Sequence, residues 1–264
     1  MVKPGSVLKY DRAYKHLVDA KTAVGEFLAA KPYDISRDGE SQPGKLSFWI
    51  TLLEDPPPEI SLAAGDAIHN MRSALDHIVY ELSSKREANP RDTAFPLLTK
   101  EKDWDRRRKD GTLQVRSGKH RIRLLPSEAQ TFIHNVQPWP RPEPFWPDLF
   151  GPNRERLREL HALDIADKHR NLNLAILYVD MVAVGTSTAS DDLRFEYVHK
   201  GPLQPNTRTL LARFVDPAKV YMELLPQLDV VFDEGLTPDE PVGRKLDELF
   251  LNVSRVLSRL WQFA

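Results

Sequence analysis

The sequence predicts an α+β protein whose core is mainly helical, and three observations support this. Four long segments repeat apolar residues at helical spacing, near residues 8–30, 61–84, 153–178 and 242–262. Between them, residues 33–53 and 182–231 hold short runs rich in β-branched and aromatic side chains. Residues 88–125 show little periodicity and read as a basic, irregular segment. We therefore expect one domain over residues 1–264, a four-helix-bundle core with a small antiparallel β-sheet inserted or appended.

The first half of the chain supplies two helices and a pair of strands. Pro32 ends the first helix, whose apolar face consists of Ala13, Leu17, Ala20, Val24 and Leu28. Strands are expected at 33–37 and 45–53, joined by a polar turn. Ser61 is the expected N-cap of the second helix, whose stripe comprises Ile68, Met71, Leu75, Ile78 and Leu82.

The second half begins with a helix that is expected to reach about Tyr178. Short strands are then expected at 182–184, 193–198, 210–214 and from 220 toward 231. The terminal helix is predicted by an apolar face of Leu246, Phe250, Val253, Leu257 and Leu260.

Composition excludes several classes of protein. The chain has no cysteine, which excludes disulfide scaffolds, cysteine zinc sites and thiol nucleophiles. Its start lacks the apolar segment of a signal peptide, and no run approaches the roughly 18 apolar residues of a membrane span. We therefore expect a cytoplasmic protein with no membrane segment and no identifiable small-molecule cofactor. The formal net charge of −1 argues against a uniformly basic nucleic-acid surface.

A polar cluster interrupts the apolar pattern of the second helix between Gly65 and His77. At 100° per residue its members share one sector beside the apolar stripe, with Arg72 and His77 at the two margins. One interpretation is structural, because Arg72 and Asp76 are spaced for an ion pair within the helix. The other is chemical: imidazole exchanges protons near neutral pH, and a guanidinium holds phosphate through two parallel hydrogen bonds. The cluster comprises Asp66, His69, Asn70, Arg72, Asp76 and His77.

Two resemblances follow from these residues. Arg72-Ser73-Ala74-Leu75-Asp76-His77 resembles the Arg-x4-6-His motif of the HEPN superfamily, helical bundles that commonly act as metal-independent ribonucleases and often dimerise. The segment GDAIHNMRSALDH, with Asp167-Lys168-His169-Arg170, also resembles an uncharacterised family of bacterial proteins over most of the chain. The HEPN resemblance implies an RNA-directed endoribonuclease that forms a homodimer, with Arg72 and His77 as catalytic residues.

A second polar cluster lies on the third predicted helix. Helical spacing puts Asp164 and Asp167 on one face, with His161 one turn earlier. If the second and third helices face each other, these side chains would meet His69, Arg72 and Asp76 in one site. The supporting residues expected there are Asp164, Asp167, Lys168, His169 and Arg170.

Two alternatives to a nuclease remain open at this point. The same polar groups could form an internal network in a non-catalytic helical module that dimerises or binds a ligand. As a third choice, His69, His161 and neighbouring carboxylates could bind a metal in the bundle core.

The basic segment carries eight lysines and arginines against one aspartate between residues 106 and 123. Such a run could contact RNA phosphates, although it contains no aromatic residue on which a base could stack. The candidate nucleic-acid-binding residues are Arg106, Arg107, Arg108, Lys109, Arg121 and Arg123.

Overall fold

The protein is an α+β protein, as the sequence predicts. A computed structural model describes residues 3–38, 45–139, 151–169, 172, 174–186, 194–199, 201–215, 221–233 and 239–264. Its helices are α1 Gly5–Ala29, α2 Pro58–Ser84, α3 Gly118–Arg121, α4 Ser127–Asn135, α5 Gly151–His169 and α6 Val242–Trp261. The four long helices therefore correspond to the four predicted segments. No helix in the described ranges is long and apolar enough to cross a bilayer.

The strands form two antiparallel sheets. In chain order they are β1 Tyr33–Asp38, β2 Lys45–Leu52, β3 Leu174–Thr186, β4 Arg194–Val198, β5 Gly201–Leu203, β6 Arg208–Val215 and β7 Tyr221–Phe232. One sheet has the order β1-β2-β6-β4 and the other the order β5-β3-β7. Phe48 of β2 and Phe214 of β6 meet edge to face, with ring centroids 5.9 Å apart, in the core of the first sheet. The sequence predicted one small sheet here, and the pairing produces two.

The third predicted helix ends earlier than expected. The residues from Leu174 to Tyr178, predicted as its last turns, form the start of β3 and pair with β7. A short apolar run suits a buried strand as well as a helix, and pairing with β7 satisfies its backbone hydrogen bonds. The prediction of helix through Tyr178 was therefore wrong, and the β region begins before residue 182.

Two smaller boundaries also differ from the prediction. Helix α2 starts at Pro58, so Ser61 lies inside it and is not its N-cap. Proline suits the first helical position because its missing N–H is not needed there. Residues 201–203, which lie between two of the predicted strands, form strand β5. The predicted strand ends at residues 193 and 220 lie outside the described residues.

The chain groups into two compact units, each made from separate stretches of sequence. Unit 1 contains Met1–Asp19, Leu62–Leu172 and Gly243–Ala264, and unit 2 contains Ala20–Ser61 and Asn173–Val242. Both sheets belong to unit 2. The polar clusters of the sequence belong to unit 1. That the whole chain behaves as one domain stays a prediction.

Specific side-chain contacts link the long helices of unit 1. The Glu81 carboxylate of α2 accepts hydrogen bonds from the Ser6 backbone N–H and hydroxyl, both at 2.7 Å, at the start of α1. Tyr10 of α1 stacks on Phe250 of α6 at 4.2 Å between centroids. Buried Lys245 of α6 lies 3.2 Å from Glu159 of α5. The four helices thus contact one another, while a regular four-helix bundle stays a prediction.

We expect Gly25→Ala in α1 to stabilise the protein by about 0.5–1 kcal/mol, because alanine restricts the unfolded chain and favours helix. A Cβ built at Gly25 meets nothing within 4 Å. The midpoint of urea unfolding measures the change. Gly65→Ala in α2 is the matched control of opposite sign, since its Cβ would press on the Asp167 carboxylate of α5. Equal effects of the two substitutions would contradict this account.

Candidate active site

Helix α2 presents its polar residues beside a fully buried face. Ile68, Met71, Leu75 and Ile78 are completely buried, which fixes the rotation of the helix about its axis. At Gly65 the absence of a side chain lets α5 come close, since a Cβ there would lie 2.7 Å from Asp167 Cγ. This close approach brings the two polar clusters predicted from the sequence together.

The polar residues of α2 and α5 meet in one group, which we call the α2–α5 cluster. His69 Nδ1 lies 3.9 Å from Asp164 Oδ1, an ion-pair distance when the ring is protonated. Lys168 donates a 2.6 Å hydrogen bond to Asp164 Oδ2, and the Asp164 side chain is almost fully buried. The two polar helix faces therefore do face each other. The cluster comprises His69, Arg72 and Asp76 of α2 with His161, Asp164, Asp167 and Lys168 of α5.

Arg72 is held in place by a clamp on the backbone of Phe95. Its Nη2 donates a 2.8 Å hydrogen bond to the Phe95 carbonyl, and its Nη1 lies 2.9 Å from Asp76 Oδ1. The same Asp76 oxygen accepts a 2.9 Å hydrogen bond from the Phe95 N–H. The Arg72 side chain is 13% exposed, so this guanidinium is largely withdrawn from solvent. Arg72 and Asp76 therefore have a structural role whatever else they do.

His161 has an environment in the structure that the sequence did not predict. Burial, followed by the positive charge of Arg72, lowers the pKa of its imidazole, and the nearby Asp164 partly opposes this. Its Nδ1 is buried without a hydrogen-bond partner, as is Asp164 Oδ1. His161 is therefore predominantly neutral at neutral pH and lies close enough to Arg72 to feel its charge. The sequence placed it in the second polar cluster and as a possible metal ligand, but gave it no role in proton transfer.

Arg121 adds a second cation next to the cluster. Burial and the charge of Arg72 lower the pKa of its guanidinium, and Asp76 opposes them. Helix α3 positions it, with Ser117 accepting a hydrogen bond from the His120 N–H at the helix start. Arg72 and Arg121 thus both lie close enough to His161 for their charges to act on its imidazole. Partly buried cations interact strongly with an anion because water screens them poorly.

Asp167 of the cluster lies near a further carboxylate, Asp66 of α2. Burial, followed by the charges of Asp66 and Asp164, raises the pKa of Asp167. Asp66 itself is exposed, with His16 Nδ1 of α1 at 3.9 Å. Asn70 is buried and donates a 2.8 Å hydrogen bond to the Asp66 carbonyl, which is a structural role within α2.

His77 lies among different neighbours from Arg72. It is exposed, and a Cβ built at Gly5 of α1 would lie 2.6 Å from its Nδ1. Arg72 contacts Phe95 and Asp76, whereas His77 lies beside Gly5 at the start of α1. His169 is exposed at the end of α5, and Arg170 lies outside the described residues.

The basic residues have four different environments. Arg106 and Arg107 lie in ion-pair range of Asp103 and Asp105, at 3.7 and 3.1 Å. Arg108 and Lys109 are exposed on a tight turn, closed by a 2.8 Å hydrogen bond from the Arg108 N–H to the Thr112 carbonyl. Arg121 is close enough to Arg72 and Asp76 for their charges to act on its guanidinium. Arg123 donates hydrogen bonds to the carbonyls of His120 and Arg91.

The metal hypothesis has no donor set in the described part of the chain. No group of three histidine or acidic side chains there converges as metal ligands. His69 and His161 instead share the cluster with cations, which oppose metal binding.

Comparisons with protein-family models, curated proteins and solved structures found no match for the chain. The resemblances noted in the sequence are therefore expectations, and the geometry of the cluster carries the functional argument.

Proposed function

We propose that this protein is a metal-independent endoribonuclease that cleaves RNA at the α2–α5 cluster. The observation that carries the proposal is that burial and the charge of the largely buried Arg72 together lower the pKa of the His161 imidazole. Cleavage by the RNA's own 2′-hydroxyl needs a base for that hydroxyl and a cation for the phosphate. The cluster offers both without a metal ion.

The roles follow from charge and exposure. His161 takes the proton from the 2′-hydroxyl, whose oxygen attacks phosphorus and forms the 2′,3′-cyclic phosphate. Arg72 and Arg121 stabilise the negative charge of the pentacoordinate phosphate. His69 is half exposed and lies beside Asp164, and it gives a proton to the departing 5′-oxygen. One P–O bond forms and one breaks, and the protons balance between the two histidines.

The test follows the fate of a single-stranded RNA incubated with the purified protein, with and without EDTA. We expect cleavage in both, with 2′,3′-cyclic phosphate and 5′-hydroxyl ends. A matched substrate with one 2′-deoxy nucleotide should resist cleavage at that position, because the nucleophile is missing. Loss of activity in EDTA, or cleavage of the deoxy position, would overturn the proposed mechanism.

The Arg72–His77 pair of the HEPN resemblance is the competing assignment for the same activity. His77 is exposed on α2, so it would need a second copy of the chain to meet an Arg72. The variant His77→Asn separates the two assignments: it should retain cleavage at the α2–α5 cluster and abolish it at a HEPN-type dimer site. A cytoplasmic location and a homodimer are part of this proposal, and light scattering measures the oligomer.

The clamp on Phe95 favours a second candidate function. If Arg72 serves only to hold this backbone, the protein is a non-catalytic helical module that binds a protein or small ligand. The RNA test also covers this possibility, because such a module leaves every substrate intact.

A further inference from the structure

Asp164 of α5 is a buried carboxylate that takes no part in the proton transfers described above. Its side chain is only 4% exposed, and Lys168, one turn further along α5, donates a 2.6 Å hydrogen bond to Oδ2. This bond restricts rotation of the carboxylate. The other oxygen, Oδ1, is shielded from solvent and accepts no hydrogen bond from the described residues. A buried acceptor without a donor costs folding free energy, so Oδ1 favours the approach of an N–H group.

His69 of α2 is in position to supply that donor. Its Nδ1 lies 3.9 Å from Asp164 Oδ1, about 1 Å beyond a normal hydrogen bond. Gly65, one turn earlier on α2, leaves room for α5, because an added Cβ would lie 2.7 Å from Asp167 Cγ. The His69 side chain is half exposed whereas Asp164 is buried and bonded, so the imidazole is the partner that can move. A small rotation of the ring is enough to close the gap.

The second ring nitrogen of His69 has a partner that adapts to either tautomer. Ser73 Oγ, one turn further along α2, lies 3.4 Å from His69 Nε2. A hydroxyl can donate or accept a hydrogen bond, whereas an ionised carboxylate can only accept. Asp164 therefore determines where the neutral ring carries its proton. The proton lies on Nδ1, and Nε2 accepts from the Ser73 hydroxyl.

This tautomer suits the role of His69 in the proposed cleavage. The protonated ring carries an N–H on both nitrogens. It gives the Nε2 proton to the departing 5′-oxygen and keeps the Nδ1 proton, which points toward Asp164. The neutral ring that results is already in the tautomer that the carboxylate stabilises, and Asp164 itself takes no proton. A buried carboxylate commonly orients an imidazole in this way.

We infer that Asp164 is a positioning residue that holds the His69 ring with its proton on Nδ1 and leaves Nε2 for the substrate. The importance of this tautomer for cleavage rests on the proposed function. The competing partner for Asp164 is His161, one turn earlier on α5, whose Nδ1 is also buried without a hydrogen-bond partner. His69 is favoured because its Nδ1 lies within ion-pair range of Asp164 Oδ1.

The test determines by ¹⁵N NMR which nitrogen of each ring carries the proton. The protein is labelled with [¹⁵N]histidine and measured at a pH where the rings are neutral, and His69→Asn and His161→Asn assign the two signals. The wild type is compared with Asp164→Asn and Ser73→Ala. Asp19→Asn is the matched control, because Asp19 is an exposed carboxylate of α1 that also lies 3.6 Å from a histidine nitrogen, outside the α2–α5 cluster.

We expect the His69 proton on Nδ1 in the wild type, in Ser73→Ala and in Asp19→Asn. In Asp164→Asn it should move to Nε2, because Lys168 retains the amide oxygen and the amide NH₂, a donor, then faces His69 Nδ1. The kcat for RNA cleavage by Asp164→Asn should fall about 10- to 100-fold with little change in KM, the usual cost of losing a partner that orients a histidine.

Three results would overturn the inference. They are a wild-type His69 proton on Nε2, loss of the Nδ1 proton in Ser73→Ala, and a change at His161 instead of His69 in Asp164→Asn. The first two need no substitution of the buried Asp164, so they decide the question even if Asp164→Asn does not fold.

The outcome is separable from that of the proposed function, because the NMR measurement needs no RNA. The expected tautomers without RNA cleavage keep the contact between Asp164 and His69 and remove the nuclease. Cleavage by a protein whose His69 proton lies on Nε2 keeps the nuclease and removes Asp164 as its positioning residue.

Discussion

We expect His161→Asn to lower kcat/KM for RNA cleavage by about 10²–10⁴-fold, the usual contribution of a positioned general base. Asparagine is similar in size and polar, so the packing of α5 should be retained. Equal far-ultraviolet circular dichroism and equal urea midpoints would show that the fold is unchanged. His77→Asn is the control, because it removes an imidazole outside the cluster.

The pH dependence gives the same prediction a second readout. Because burial and Arg72 lower the pKa of His161, its basic form already dominates at pH 6.5. The acid limb of the wild-type kcat/KM profile should therefore fall at a pH below 6.5. Removing the charge in Arg72→Gln should move the limb of the residual activity to higher pH. A limb that stays in place would show that another group is the base.

The second large effect concerns stability. We expect Asp76→Ala to lower the free energy of unfolding by about 3 kcal/mol. The substitution leaves the Phe95 N–H without its acceptor and the largely buried Arg72 charge without its carboxylate. Urea denaturation with an unchanged m-value measures the loss.

Two control variants test whether the loss of stability comes from the contacts of Asp76. Asp76→Asn keeps an oxygen for the Phe95 N–H and should lose clearly less stability than Asp76→Ala. Asp11→Ala removes the exposed ion pair with Lys3 and should change stability by less than about 0.5 kcal/mol. If Asp76→Ala behaved like Asp11→Ala, the clamp on Phe95 would contribute nothing measurable.

Local periodicity was enough to predict most helices and strands. The stripe from Ile68 to Leu82 fixed which face of α2 is buried, and hence which polar residues lie together. The same approach failed at Leu174, because the run that follows suits helix and strand equally, and its partner β7 lies far along the chain. Sequence-distant pairing was the deciding interaction there.

The candidate site was likewise predictable where local spacing decides it and not where distant contacts do. The spacing of Arg72 and Asp76 predicted their ion pair, and the facing of α2 and α5 was one arrangement that the sequence left open. The proximity of His161 to Arg72 did not follow, since it depends on how close the helices come at Gly65. The clamp on Phe95 could not be predicted either, because it uses backbone atoms of an irregular segment.

The contacts between α1 and α6 have a consequence for biosynthesis. Trp261 Nε1 donates a 3.3 Å hydrogen bond to Ser6 Oγ, and Phe250 stacks on Tyr10. Unit 1 therefore joins the beginning and the end of the described chain. During translation these contacts cannot form until α6 has left the ribosome. A ribosome stall before residue 242, where α6 begins, should therefore leave α1 without these contacts.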